Sequence, residues 1–194
     1  MKKKRASLGH SKAFTIVELL VVVVVIAILA TITIISYNGI QQRATNSTIV
    51  SAVDNWDKVI KAAAIDGASM PAVGTCLGRS GDFTAKNGFP SGACVLVDGS
   101  PAANVSFDES QYSSWPTSIA LRRPSGELPV VSYSTGGSQI KTRGLWVGSL
   151  NAAGRTIEVR WLSQVDGQCA KGVALSAPIV GSLTGGYCAL NISY

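Results

Sequence analysis

One carboxylate inside a long apolar run constrains this chain more than any other feature. The stretch KAFTIVELLVVVVVIAILATITII, Lys12 to Ile35, is apolar from Phe14 onward except for Thr15, Glu18, Thr31 and Thr33. As an α-helix, residues 14–35 would extend about 33 Å, enough for a hydrocarbon core about 30 Å thick. A cleaved secretory signal has an apolar region of about 7–15 residues closed by an A-x-A-like site, and neither feature is found here. The sequence therefore predicts a helix that stays in the membrane. At the centre of a bilayer a lone carboxylate costs about 2.5–3.5 kcal/mol, and less near an interface, so Glu18 calls for a partner.

Charge gives this segment a direction. The chain carries a formal net charge of +6, with 17 basic residues, but Lys2, Lys3, Lys4, Arg5 and Lys12 all precede Phe14. The rest is nearly balanced, at 12 basic against 11 acidic side chains. A basic tip before an apolar helix reads as cytoplasmic under the positive-inside rule. The expectation is a single pass through the inner (cytoplasmic) membrane, N-terminus inside and the remainder extracytoplasmic. The high overall charge needs no nucleic-acid partner to account for it.

Beyond the apolar run, TIVSAVDNWDKVIKAAAIDG places Ile49, Val53, Trp56, Ile60 and Ala63 at spacings of 4, 3, 4 and 3, one stripe of a helix. Gly67 is a fitting stop and Pro71 follows it. Ser36–Gly39, four poor helix formers, are the weak link in what would otherwise be one helix of about 50 residues. After residue 67 the composition turns to Gly, Ser, Pro and short β-branched runs. TIEVRWLSQ alternates Ile157, Val159 and Trp161 with Glu158 and Arg160, as a half-buried strand does. ACVLVDG, SIALRR, PVVSYS, QIKTRGLWVGS, KGVALSA and YCALNISY read as further strands, and 68–93 is assigned to no element. The predicted class is α+β: a basic leader at 1–13, a long helix at 14–66 (14–35 membrane, 36–66 amphipathic) and a β-rich head at 67–194. The helix stripe would pack on an antiparallel sheet of that head.

All four cysteines, Cys76, Cys94, Cys169 and Cys188, fall after the apolar segment, with no C-x-x-C pair. An even count on the exported side favours two disulfides over a zinc site. Of three connectivities, Cys76–Cys94 with Cys169–Cys188 closes the shortest loops, each contributing about 3 kcal/mol in the chain-entropy picture.

The segment KAFTIVELLVVVVVIAILATI, with its basic tip, small residue, Phe-Thr-x-x-Glu and apolar helix, resembles the N-terminus of type IV pilins and type II secretion pseudopilins. The likeness is close over residues 12–35 and looser to about Ala64. It implies a pilin-like fold, a cut by a prepilin peptidase between Ala13 and Phe14, and N-methylation of Phe14. Pilin subunits, like or unlike, would be the partners, with Thr15 and Glu18 in the assembly segment. The cut would free an α-amino group, ordinarily titrating near pH 8, that Glu18 could meet either in its own chain or in a neighbour; the resemblance implies the neighbour. Two departures stand out. Ala13 replaces the usual Gly before the cut, and no proline lies near Ile35, where Ser36–Gly39 could supply the same softness.

Catalytic constellations are missing. His10 is the only histidine and lies in the leader, so His-based nucleophilic and metal sites are excluded from the processed chain. Ser138 and Lys141 match S-x-x-K but sit in strand-like sequence. Asp98 and Asp166 read as turn formers rather than Ca²⁺ ligands. Asn46, Asn104 and Asn191 begin N-x-S/T triplets, a short and frequent pattern. No enzyme activity, metal or cofactor is expected. Residues 54–117 hold four basic and seven acidic side chains, whereas 118–171 hold seven basic and three acidic. Arg122, Arg123, Lys141, Arg143 and Arg160 form a candidate basic patch. Solvated strand residues rank first as its explanation, charge complementarity between subunits second and DNA binding third. The leading reading is a structural filament subunit; the alternative is a monomeric, membrane-tethered protein that binds a surface or DNA.

Overall fold

A computed structural model describes residues 14–135, 138–163, 169, 171–175 and 187–194 of the chain. The leader with His10 and Ala13, Gly136, Gly137 and Asp166 lie outside the described residues. Helix α1 covers Ile16–Ile65, 50 residues, and Ser36–Gly39 are part of it. Its end is a Schellman motif, with the Gly67 N–H donating to Ala64 O (3.1 Å) and the Ala68 N–H to Ala63 O (3.0 Å). Gly67 takes φ 74°, a conformation that costs a residue with a Cβ.

The chain divides into two compact units, Met1–Gln41 and Gln42–Tyr194. In the first, the described apolar side chains of α1 are all exposed, from Ile16 at 86% to Ile32 at 59%. Among the described residues no helix is long and apolar enough to cross a membrane. The stretch Ile16–Ile32 would measure about 26 Å, just short of a hydrocarbon core.

In the second unit the predicted stripe is the buried face of the helix: Ile49, Val53, Trp56, Ile60 and Ala63 are inaccessible or nearly so. They share one core with Leu77, Val95, Ile140, Trp146, Val159 and Tyr187. Its strands are β1 (Cys76–Leu77), β2 (Val95–Val97), β3 (Ser100–Pro101), β4 (Val131–Thr135), β5 (Ser138–Thr142), β6 (Leu145–Asn151), β7 (Thr156–Leu162), β8 (Val173–Leu175) and β9 (Tyr187–Ser193). They form two antiparallel sheets, β1-β6-β7-β9-β8 and β3-β2-β5-β4, where one had been expected. In β7, Ile157, Val159 and Trp161 face inward, and Glu158 and Arg160 are only partly buried. The Cys76–Cys94 disulfide links β1 to the residue before β2, and Cys169–Cys188 ties a residue four positions ahead of β8 to β9.

Two strand assignments are corrected. SIALRR is not a strand: Thr117–Ala120 is a one-turn helix, α2, in which Ile119 alone is buried. Pro116, with φ −54°, sets the entry to that turn, and a single inward Ile does not amount to a strand face. QIKTRGLWVGS is two strands, β5 and β6, that belong to different sheets. The break falls at Arg143-Gly144, where a Cβ on Gly144 would stand 2.8 Å from Gly126 O and 2.8 Å from the Phe83 ring. No larger residue could pass there without displacing backbone.

Candidate functional site at the start of α1

The first turn of α1 is closed by Thr15 and Glu18. The Thr15 N–H and the Thr15 hydroxyl both donate to Glu18 Oε2 (2.9 Å each), and the Glu18 N–H donates back to Thr15 Oγ1 (3.2 Å). This is a capping box: Thr15 is the N-cap, and the carboxylate three residues on satisfies the cap's own N–H. A negative charge here also suits the positive end of the helix dipole. Oε1 of Glu18 has no partner among the described residues.

The surroundings of this carboxylate are aliphatic and bare. Phe14 is 82% exposed, and Val17, Leu19, Leu20 and Val21 are all exposed as well. An anion with one open oxygen thus sits on an apolar helix surface, one turn from the position that a cut before Phe14 would turn into a cation. The local role of Glu18 is not part of the expectation above, although the T-x-x-E spacing that signals a capping box stands in the sequence.

The candidate basic patch does not come together. Arg123 is 5% exposed: its Nε donates to Ala120 O (3.1 Å), one terminal nitrogen donates to Gly78 O (2.9 Å), and the other pairs with Glu109. Arg143 is 2% exposed, with Nε donating to Ala93 O (2.9 Å) and its terminal nitrogens to Thr84 O (2.6 Å) and Pro90 O (3.2 Å). Both guanidiniums hold loops together and neither is open to a phosphate. Arg160 pairs with Glu158 and lies over the Tyr187 ring. Of the five, Lys141 is half-buried on β5 and Arg122 is exposed. Ser138 and Lys141, three apart on one strand, point to opposite faces and make no Ser–Lys pair. Asp98 is a turn former: at φ 49° its carboxylate accepts the Gln139 N–H (2.7 Å).

Compared with known proteins, residues 8–34 match the family model of the prokaryotic N-terminal methylation motif. No curated protein matches the chain. No solved structure matches it either. The matched motif is the signature of type IV pilins and pseudopilins, which are structural proteins, and it marks this chain as pilin-like or pseudopilin-like.

Proposed function

We propose that the chain is a structural subunit of a type IV pilus-like or type II secretion-like filament. A prepilin peptidase removes residues 1–13 between Ala13 and Phe14, and the new N-terminus of Phe14 is methylated. Before assembly residues 14–35 hold the protein in the inner membrane, the apolar sequence continuing past Ile32 to Ile35. The head then faces away from the cytoplasm. On assembly these helices pack against one another, and Glu18 accepts the Phe14 amine of the adjoining subunit.

The observation that carries this reading is the half-used carboxylate. Thr15 takes one oxygen of Glu18 and leaves the other open on an exposed aliphatic surface. Aliphatic side chains have little reason to associate within lipid. Once extracted from it they gain about 1.5–3 kcal/mol for each large residue fully buried. An anion carried into that packing needs a cation there, and each added subunit brings one at its start.

Glu18→Gln separates the two roles of this residue, because its amide oxygen can still cap Thr15 while its charge is gone. Glu18→Gln and Glu18→Ala should both insert and be processed, yet enter sheared surface filaments at least about tenfold less than the parent, for an ion-pair loss of about 1.4 kcal/mol or more. Normal incorporation of Glu18→Gln would reduce the residue to its cap and remove the intersubunit pair. Mass spectrometry of the native protein should find a chain that begins at Phe14 and carries one added methyl group.

A further inference from the structure

Within the second unit, Lys58, Val59 and Ala62 of α1 and Ser118, Ile119 and Arg122 of the α2 segment line an open cleft of about 370 Å³. That volume is within the range of small-ligand sites. The chemistry of its lining is two-sided. Val59, Ala62 and the buried Ile119 supply an apolar wall, while Lys58, Arg122 and the Ser118 hydroxyl supply two cations and a donor.

Among the described residues no carboxylate pairs with either cation. The carboxylate one turn before Lys58, Asp54, is engaged by Lys171, and the adjoining Asp57 pairs with Lys61 at 2.9 Å. Glu109 pairs with Arg123, the residue next to Arg122. Among the described residues Lys58 and Arg122 have no hydrogen-bond or ion-pair partner. Two like charges lining one small cleft repel, and a bound anion is what relieves that repulsion. Arg122 offers a planar fork that fits a carboxylate or phosphate, and Lys58 a compact second charge.

We infer that this cleft binds a small amphiphilic anion, a carboxylate or phosphate monoester on a short apolar body. The head group lies between Lys58 and Arg122 with the Ser118 hydroxyl donating to it, and the apolar body lies on Val59, Ala62 and Ile119. None of these residues belongs to the apolar segment that carries Glu18.

The test is a chemical-shift titration of the ¹⁵N-labelled full chain in non-ionic maltoside micelles. Phenylacetate and phenyl phosphate are the anionic probes; phenylacetamide lacks the charge and acetate lacks the apolar body. At least one anionic probe should move the amides of residues 58–62 and 118–122 in a saturable way, with a Kd on the order of millimolar. Phenylacetamide and acetate should bind at least about tenfold more weakly. The anion that saturates first identifies the head group as carboxylate or phosphate. The Lys58→Gln/Arg122→Gln variant changes two exposed side chains, so its thermal midpoint should match the parent's while its Kd rises at least about tenfold. Silence of these amides to both anions, equal binding of phenylacetamide, or undiminished binding by the double variant would each overturn the assignment.

Discussion

Arg143 brings a cation into the core, where three main-chain carbonyls receive its guanidinium and the Phe89 ring lies 4.8 Å from its centre. Burial pushes its pKa below the ordinary arginine value, and the Glu127 carboxylate, 3.6 Å away, pulls it back. Arg143→Ala would strand those carbonyls and leave Glu127 facing Lys86 alone, at a cost of about 3–5 kcal/mol by urea unfolding. Arg122→Ala, on the surface, should stay within about 0.5 kcal/mol. The sequence gives both residues the same look, a basic side chain among strand-like residues. What separates them is Thr84, Pro90 and Ala93, some 50 or more positions before Arg143, and such non-local acceptors leave no trace in a local pattern. Tyr112 carries a pH signal of the opposite kind. It is buried beneath Arg123, 4.2 Å from its ring, and its hydroxyl donates to Cys76 O (3.3 Å). Burial raises the phenol pKa well above its ordinary value near 10. The folded state therefore holds this proton more tightly than the unfolded chain. That stability is complete below about pH 10 and is lost as the pH climbs toward the folded-state value. Urea midpoints measured from pH 8 to 11 should fall in the parent and fall less steeply in Tyr112→Phe.

At the scale of elements, the second half of α1 was the most legible part of the chain, because one face of a helix repeats with a period the eye can count. Trp56 is its largest buried side chain, 6.3 Å from the Tyr112 ring, and its indole N–H has no acceptor among the described residues. Trp56→Ala should cost about 3–5 kcal/mol of unfolding free energy. Trp56→Phe should cost distinctly less, since the donor it deletes forms no hydrogen bond. The capping box at Thr15 and Glu18 is equally legible, because its T-x-x-E spacing is local to the first turn. The head was read less well, and for definite reasons. SIALRR has the composition of a strand, yet Pro116 and a lone inward Ile make it a helical turn. QIKTRGLWVGS has the length of one strand, but the close approach of Gly126 to Gly144 bends it between two sheets. Period and composition describe a segment alone, whereas both outcomes depend on what lies across from it.

At the scale of the whole molecule, the basic tip and the two disulfides bear on the same property, the side of the membrane on which the head folds. Under the proposed topology the tip holds the N-terminus in the cytoplasm, and Cys76–Cys94 and Cys169–Cys188 close on the oxidising side. The disulfides then report orientation. Replacing Lys2, Lys3, Lys4, Arg5 and Lys12 with Gln removes five of the 17 basic residues, all of them ahead of the apolar helix. In a fraction of such molecules the head should remain in the cytoplasm, where reducing conditions keep its thiols free. Alkylation of unreduced cells followed by mass spectrometry would detect that fraction as chains with four modified cysteines, against none in the parent. Each missing bridge closes a loop of 18 or 19 residues and contributes about 3 kcal/mol, so the retained heads should also be the ones most readily cleaved by protease. A tip-neutralised chain with every cysteine oxidised would mean that something other than the leading charge sets the orientation, and the apolar helix with its single carboxylate would be the remaining candidate.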